Sequence, residues 1–170
     1  MAKKTSRNLS NLTITCVDTI AARMAIGQHL ESPRKGNAGR GHDPWRDLNA
    51  EAHARPMYWL DFGNAQKTGQ VVLGTVRPIE QPEKLPAEQE AATDLPHVLE
   101  MFPVLSEQDE SDSGPSCSLA EALTKQDLFI NSTLCNLGMA ILWRMFREYR
   151  IVHHGVYLNL ENLTVNPLNV

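Results

Sequence analysis

Four groups of residues in this chain have types and spacings that could carry chemistry. Asp18 closes the run Leu12-Thr13-Ile14-Thr15-Cys16-Val17 and precedes a helix-like stretch. A carboxylate at the carboxyl end of a parallel strand can coordinate Mg²⁺ on a nucleotide phosphate. The same oxygen serves equally well as a helix N-cap. Cys117, in Pro115-Ser116-Cys117-Ser118, stands just ahead of the capping-box pattern Ser118-Leu119-Ala120-Glu121. A thiolate at a helix N-terminus is stabilised by the dipole and reacts. No His or Lys neighbours Cys117, so a passive, half-exposed cysteine is the competing reading. Asp61, Asn64 and Lys67 fall in the polar middle of Tyr58–Val76, YWLDFGNAQKTGQVVLGTV, where they would ring a turn at the end of a buried strand. Ligands of open α/β sheets bind at such ends, although a plain hairpin needs the same residues to solvate its turn. His153-His154 invites a metal, but neighbouring side chains diverge in a strand and no third ligand is spaced nearby, so the pair reads as surface. Cys16 and Cys135, inside a strand and a helix, read as buried packing residues.

The elements that must position these groups follow from periodicity. Leu12–Val17 is β-branched and of strand length. Ile20–Leu30 reads as a helix capped by Asp18 or Thr19, with Ile20, Met24 and Leu30 on its apolar side. Strand, short turn and helix make the first half of a parallel βαβ unit. Tyr58-Trp59-Leu60 and Gln70–Val76 are near-continuous apolar runs, the pattern of strands covered on both faces. Arg34–Asp43 is a glycine-rich loop lacking the phosphate-binding spacings, and Trp45–Leu48 offers a helical turn. Residues 77–116 form a Pro/Glu/Gln-rich and then acidic linker, with one helical turn expected over His97–Phe102. Residues 118–150 are helical; Leu134, Leu137, Ile141, Met145 and Tyr149 form one stripe of the long helix over Asp127–Arg150, with Gly138 and Leu142 beside it. Arg144, Arg147 and Arg150 gather near its end, where cations complement the dipole. Residues 156–170 alternate as an antiparallel hairpin with one wet face. The order strand-helix-loop-strand-strand-linker-helix-strand-strand reads as an α/β sheet with antiparallel additions.

Composition narrows the partners. The 170 residues carry 16 Lys plus Arg against 20 Asp plus Glu, a formal net charge of −4, so no basic surplus exists to neutralise phosphates. Nucleic acid is therefore not the expected partner. No apolar stretch reaches the length of a membrane span, and the basic start MAKKTSRNLS has no apolar core of a secretory signal. Three widely spaced cysteines, without a CxxC pair, indicate neither a zinc clip nor a disulfide framework. A reducing cytoplasm is the expected compartment.

Three stretches together resemble a known family. They are Thr15-Cys16-Val17-Asp18 with Arg23 shortly after, Leu60–Gly74 as LDFGNAQKTGQVVLG, and Pro115-Ser116-Cys117-Ser118 ahead of Gln126-Asp127-Leu128-Phe129-Ile130-Asn131. The whole resembles a ThiF/MoeB/HesA-type protein of the ubiquitin-activating-enzyme-like superfamily, most of all the ThiF family protein of the plasmid-associated PRTRC system, from about Leu12 onward. The resemblance implies a Rossmann-like sheet with a C-terminal antiparallel extension. It implies ATP-dependent adenylylation of the C-terminal carboxylate of a small ubiquitin-like protein, often followed by transfer to sulfur. ATP and Mg²⁺ are the implied cofactors, with Asp18 as the match to the family's Mg²⁺-ATP aspartate. Cys117 is the nearest match to its acceptor thiol, Arg23 is structural or site-adjacent, and Asp61 and Asn64 are weaker nucleotide-side candidates. The family's glycine-rich loop, ribose-binding acid and phosphate motif lie ahead of this strand, where the sequence offers only Met1–Asn11, a loose polar tail. The paired CxxC zinc ligands are absent as well. The expectation is a partial domain over residues 12–170 with the first βαβ half missing, inactive alone and completed by a homodimer mate or a partner subunit. The alternative is a non-catalytic binding or dimerisation module with the same fold.

Overall fold

A computed structural model describes residues 11–32, 56–81, 91–102 and 126–170. The expectations for the N-terminal tail before Asn11, for Arg34–Asp43, Trp45–Leu48 and Ser106–Pro115, for Cys117 and for the helix opened by Ser118 lie outside the described residues. The described elements are β1 (Leu12–Thr15), α1 (Ile20–Glu31), β2 (Tyr58–Asn64), β3 (Thr68–Thr75), α2 (Val98–Met101), α3 (Ile130–Glu148), β4 (His153–Asn159) and β5 (Thr164–Asn169).

All five strands join one open sheet in the order β1-β2-β3-β4-β5. β1 and β2 are parallel, from Leu12↔Tyr58 to Thr15↔Asp61. The other three pairings are antiparallel. The fold is therefore α/β with a mixed sheet, in which one parallel pair is extended by antiparallel strands. The apolar runs of β2 and β3 are covered on both faces, as their composition implies. Leu60, Val71 and Leu73 turn to one face, where Leu134, Ile141 and Leu142 of α3 close over them together with Val156 and Leu158. Trp59 and Val72 turn to the other, against Leu30 of α1 and Val98 of α2.

Several details differ from the sequence reading. The β2–β3 turn is shorter than its glycines suggest, because β2 continues through Asn64 and β3 begins at Thr68. Asp61 is therefore a mid-strand residue. Of the two caps expected for α1, Thr19 is the one used, as its hydroxyl accepts from Ala22 N–H at 3.2 Å. The buried stripe of α1 is Arg23, Gly27 and Leu30, not Ile20 and Met24. Gly27 is what lets the helix approach, since a Cβ there would meet Leu99 Cδ1 at 2.6 Å and the Trp59 ring at 3.3 Å. Leu134, Ile141 and Leu142 of α3 are buried as expected, but Tyr149 is 91% exposed, at the C-cap with a left-handed φ of 54°. No helix among the described residues is long and apolar enough to cross a membrane.

Candidate functional site

The two faces of the parallel pair end differently. On the α1 face the polar groups are sealed into one network. Thr15 Oγ1 donates to Asp61 Oδ1 at 2.6 Å and accepts from Trp59 Nε1 at 2.7 Å. Arg23 Nε donates to Asp61 Oδ2 at 2.8 Å, and its Nη2 reaches the Phe62 carbonyl at 2.9 Å. Both charged partners are buried. Burial pushes the Asp61 carboxyl above its ordinary value, opposed by the Thr15 hydroxyl and the Arg23 guanidinium. With both Asp61 oxygens, the Thr15 hydroxyl and the Trp59 N–H engaged, this network locks α1 onto β1 and β2. Asp61 is thus corrected from a turn-borne nucleotide contact to a buried anchor, and Arg23 takes the structural place expected of it.

On the α3 face the carboxyl ends of β1 and β2 open into a cleft of about 440 Å³. Alternation along the chain past β1 turns Ile14 and Cys16 toward it, and Val17 and Asp18 complete that wall. Phe62 and Asn64 come from β2. The opposite wall is a helical stripe of α3, Asn131, Leu134, Cys135 and Met139, with Gln126 before it. One backbone tie spans the mouth, Asp127 N–H donating to the Gln66 carbonyl at 2.8 Å, while the Asp127 side chain Oδ1 accepts locally from Phe129 N–H at 3.0 Å. The tie to Gln66 fixes the start of α3 against the β2–β3 turn. Lys67, expected at the site, instead pairs with Glu161 at 2.8 Å and joins the two hairpin turns. Gly138 brings α3 close to the sheet, because a Cβ there would meet Phe62 Cζ at 2.4 Å.

Asp18 and Asn64 therefore share one cleft with the carboxyl end of the parallel pair, as the sequence reading requires. Asp18 is exposed and is the only Asp, Glu, Lys, Arg or His among the described lining residues. The remaining donors and acceptors are the amides of Asn64, Gln126 and Asn131, with Asn131 Nδ2 donating to Gln126 Oε1 at 3.2 Å. A lone carboxylate repels phosphate directly, so a polyanion here needs a divalent cation between them; Mg²⁺ takes one or two carboxylates plus phosphate oxygens in this way. Asp18 and the neutral amides fit that arrangement. Among the described residues, no three His, Cys, Asp or Glu side chains group as a metal site of their own.

Two residues escaped the sequence reading. Cys16 and Cys135 are exposed rather than packed. Cys16 lies one residue past the last ladder pair, and Cys135 lies on the cleft stripe of α3 rather than on its core stripe. The alternation after Ile14 and the spacing from Asn131 to Met139 carried that signal. The histidine pair is also corrected. His154 is buried with Nδ1 3.0 Å from the Leu73 carbonyl, while His153 faces Asn169 from the opposite side. The two rings diverge as neighbours in a strand do, and because β4 is an interior strand with a covered face, one of them is buried.

Comparison of the chain with protein-family models, with characterised proteins and with solved structures finds no match.

Proposed function

We propose that the α3-side cleft is a Mg²⁺-nucleotide site and that the chain carries part of a ThiF-type activating enzyme. Such an enzyme adenylylates the C-terminal carboxylate of a small ubiquitin-like protein. The observation that carries this reading is the position of Asp18: exposed, just beyond the carboxyl end of a parallel strand, in a cleft with no described cation of its own. Asp18 would hold the Mg²⁺, which would supply charge neutralisation for the phosphates. Asn64, Gln126 and Asn131 would offer uncharged hydrogen bonds to the ligand. Asp61 and Arg23 would hold the strand ends in register from behind, without touching it. Cys117 is the thiol we assign to acceptance of the activated carboxylate.

The reading is tested by titrating the chain with ATP in the presence and absence of Mg²⁺. Saturable, Mg²⁺-dependent binding that falls at least tenfold in Asp18→Asn is expected. Equal affinity in the variant removes Asp18 from the site. Pyrophosphate exchange dependent on an added carboxylate-ended protein and on a subunit that completes the domain would then establish the reaction.

A second reading, a binding or dimerisation module, is favoured by a different observation. Met139, Trp143 and Phe146 stand exposed along α3, with the Arg147 guanidinium 5.8 Å from the Trp143 ring centroid. Apolar stripes of this kind mark partner surfaces. A concentration-dependent dimer without nucleotide affinity would favour this second reading over the first.

A further inference from the structure

We propose that Cys16 and Cys135 form a thiol pair across the cleft, and that a peroxide converts it to an intramolecular disulfide closing the cleft. The inference does not rest on the nucleotide reading. Both thiols are exposed, and both line the same cleft from opposite walls, one on the end of β1 and one on α3. Partial burial is the main cause raising the Cys16 thiol above its ordinary value, followed by the charges of Asp61 and Cys135, with Arg23 opposing.

The chain near Cys16 is suited to the adjustment a bridge demands. The β1–β2 ladder ends at Thr15↔Asp61, and α1 begins only at Ile20, so Cys16–Asp18 lie between two fixed elements without belonging to either. A disulfide needs Cα atoms roughly 4.4–6.8 Å apart. A bridge between the two cysteines would fix the α3 stripe and the strand end at that spacing across the cleft they both line. Ile14, Leu134 and Met139 line the same cleft and supply apolar contacts for the closed form.

The chemistry balances with hydrogen peroxide as oxidant. One thiolate attacks a peroxide oxygen, giving a sulfenic acid and releasing water after protonation. The second thiolate attacks that sulfur, the S–S bond forms, and hydroxide leaves and is protonated to a second water. Two thiols and one peroxide give one disulfide and two waters, the two electrons passing from sulfur to oxygen.

The test uses the full chain carrying Cys117→Ser, so that Cys16 and Cys135 are the remaining thiols. Peroxide treatment is expected to remove both thiols together. A non-reducing digest should join the peptides containing residues 16 and 135 within a monomer, and a thiol reductant should restore both. A trivalent arsenical, which bridges two thiols, should bind one to one and lose that binding on Cys16→Ser or Cys135→Ser. Disulfides only between chains, sulfenic or sulfinic acid without a bridge, or thiols untouched by both reagents would overturn the proposal.

Discussion

The α1 and α3 faces of the same two strands are built to opposite ends. On the α1 face Thr15, Asp61, Trp59 and Arg23 bond to one another, and all four are buried. On the α3 face, Ile14 and Cys16 to either side of Thr15, and Phe62 next to Asp61 with Asn64 two residues on, open onto a cleft. The period of two along a strand makes this division possible: a single strand end can be an anchor behind and a binding wall in front. The comparison teaches that a carboxylate's residue type says little about its role. Asp61 and Asp18 both sit near the carboxyl end of the parallel pair. Asp61 is spent on an arginine inside the protein, and Asp18 faces solvent.

The sharpest way to break the comparison is to open the sealed face. Asp61→Ala strands the Arg23 guanidinium in a buried site, and removing one partner of such a pair costs about 3–5 kcal/mol. Urea denaturation should show the loss as a lowered midpoint. A change below about 1 kcal/mol would mean that water already reaches the pair. Thr15→Val comes next. It leaves Trp59 Nε1 and Asp61 Oδ1 without their shared partner, at about 1–3 kcal/mol.

On the open face, Gly138→Ala drives a methyl into the Phe62 ring and toward Val71 Cγ1. Overpacking of this kind costs about 1–3 kcal/mol. Because Phe62 lines the cleft, the same variant should weaken nucleotide binding, whereas Thr15→Val should leave affinity nearly unchanged once the protein is folded. Titration of both variants measures that split directly.

Acidity offers a finer test of the sealed face. A carboxyl raised in the folded state favours folding below its unfolded value and loses that contribution as pH rises through the folded value. Burial raises Asp61 in this sense. The stability of the chain relative to Asp61→Asn should therefore decline as pH climbs out of the acid range, read by urea midpoints at a series of pH values. A difference that grows with pH would show that Arg23 outweighs burial. The smallest effect on stability belongs to Asp18→Asn. An exposed substitution stays within about 0.5 kcal/mol, so its unfolding midpoint should coincide with that of the unaltered chain even as Mg²⁺-ATP binding is lost.

Much of the architecture was legible in the chain itself. The β-branched run before Asp18, the paired apolar runs of β2 and β3 and the long stripe on α3 each announce their element, and their order gives the mixed sheet. What stayed hidden was pairing between distant residues. Nothing near Asp61 in the sequence reveals that its partners are Thr15 and Arg23, 46 and 38 residues earlier, so its glycine-flanked setting suggested a turn. Arg23 in turn displaced Ile20 and Met24 from the inward side of α1, because an arginine with a buried carboxylate to meet can occupy a helix face that hydropathy alone would deny it. Asp18 and Asn64 were legible as cleft residues because the one follows the β-branched run of β1 and the other lies in the polar stretch after the apolar start of β2. Cys16 and Cys135 were misjudged because a cysteine in an apolar run packs well or faces a cleft equally well, and only the tertiary fold decides.

The account rests on the claim that the α3-side cleft, and not the sealed face behind it, receives a Mg²⁺-nucleotide. Alkylation of Cys16 and Cys135 in the Cys117→Ser chain, followed by peptide mass analysis with and without Mg²⁺-ATP, tests this most directly. The account predicts that Mg²⁺-ATP slows labelling of both cysteines, and that Asp18→Asn abolishes the protection. Labelling at the same rate at both positions under saturating Mg²⁺-ATP would contradict it.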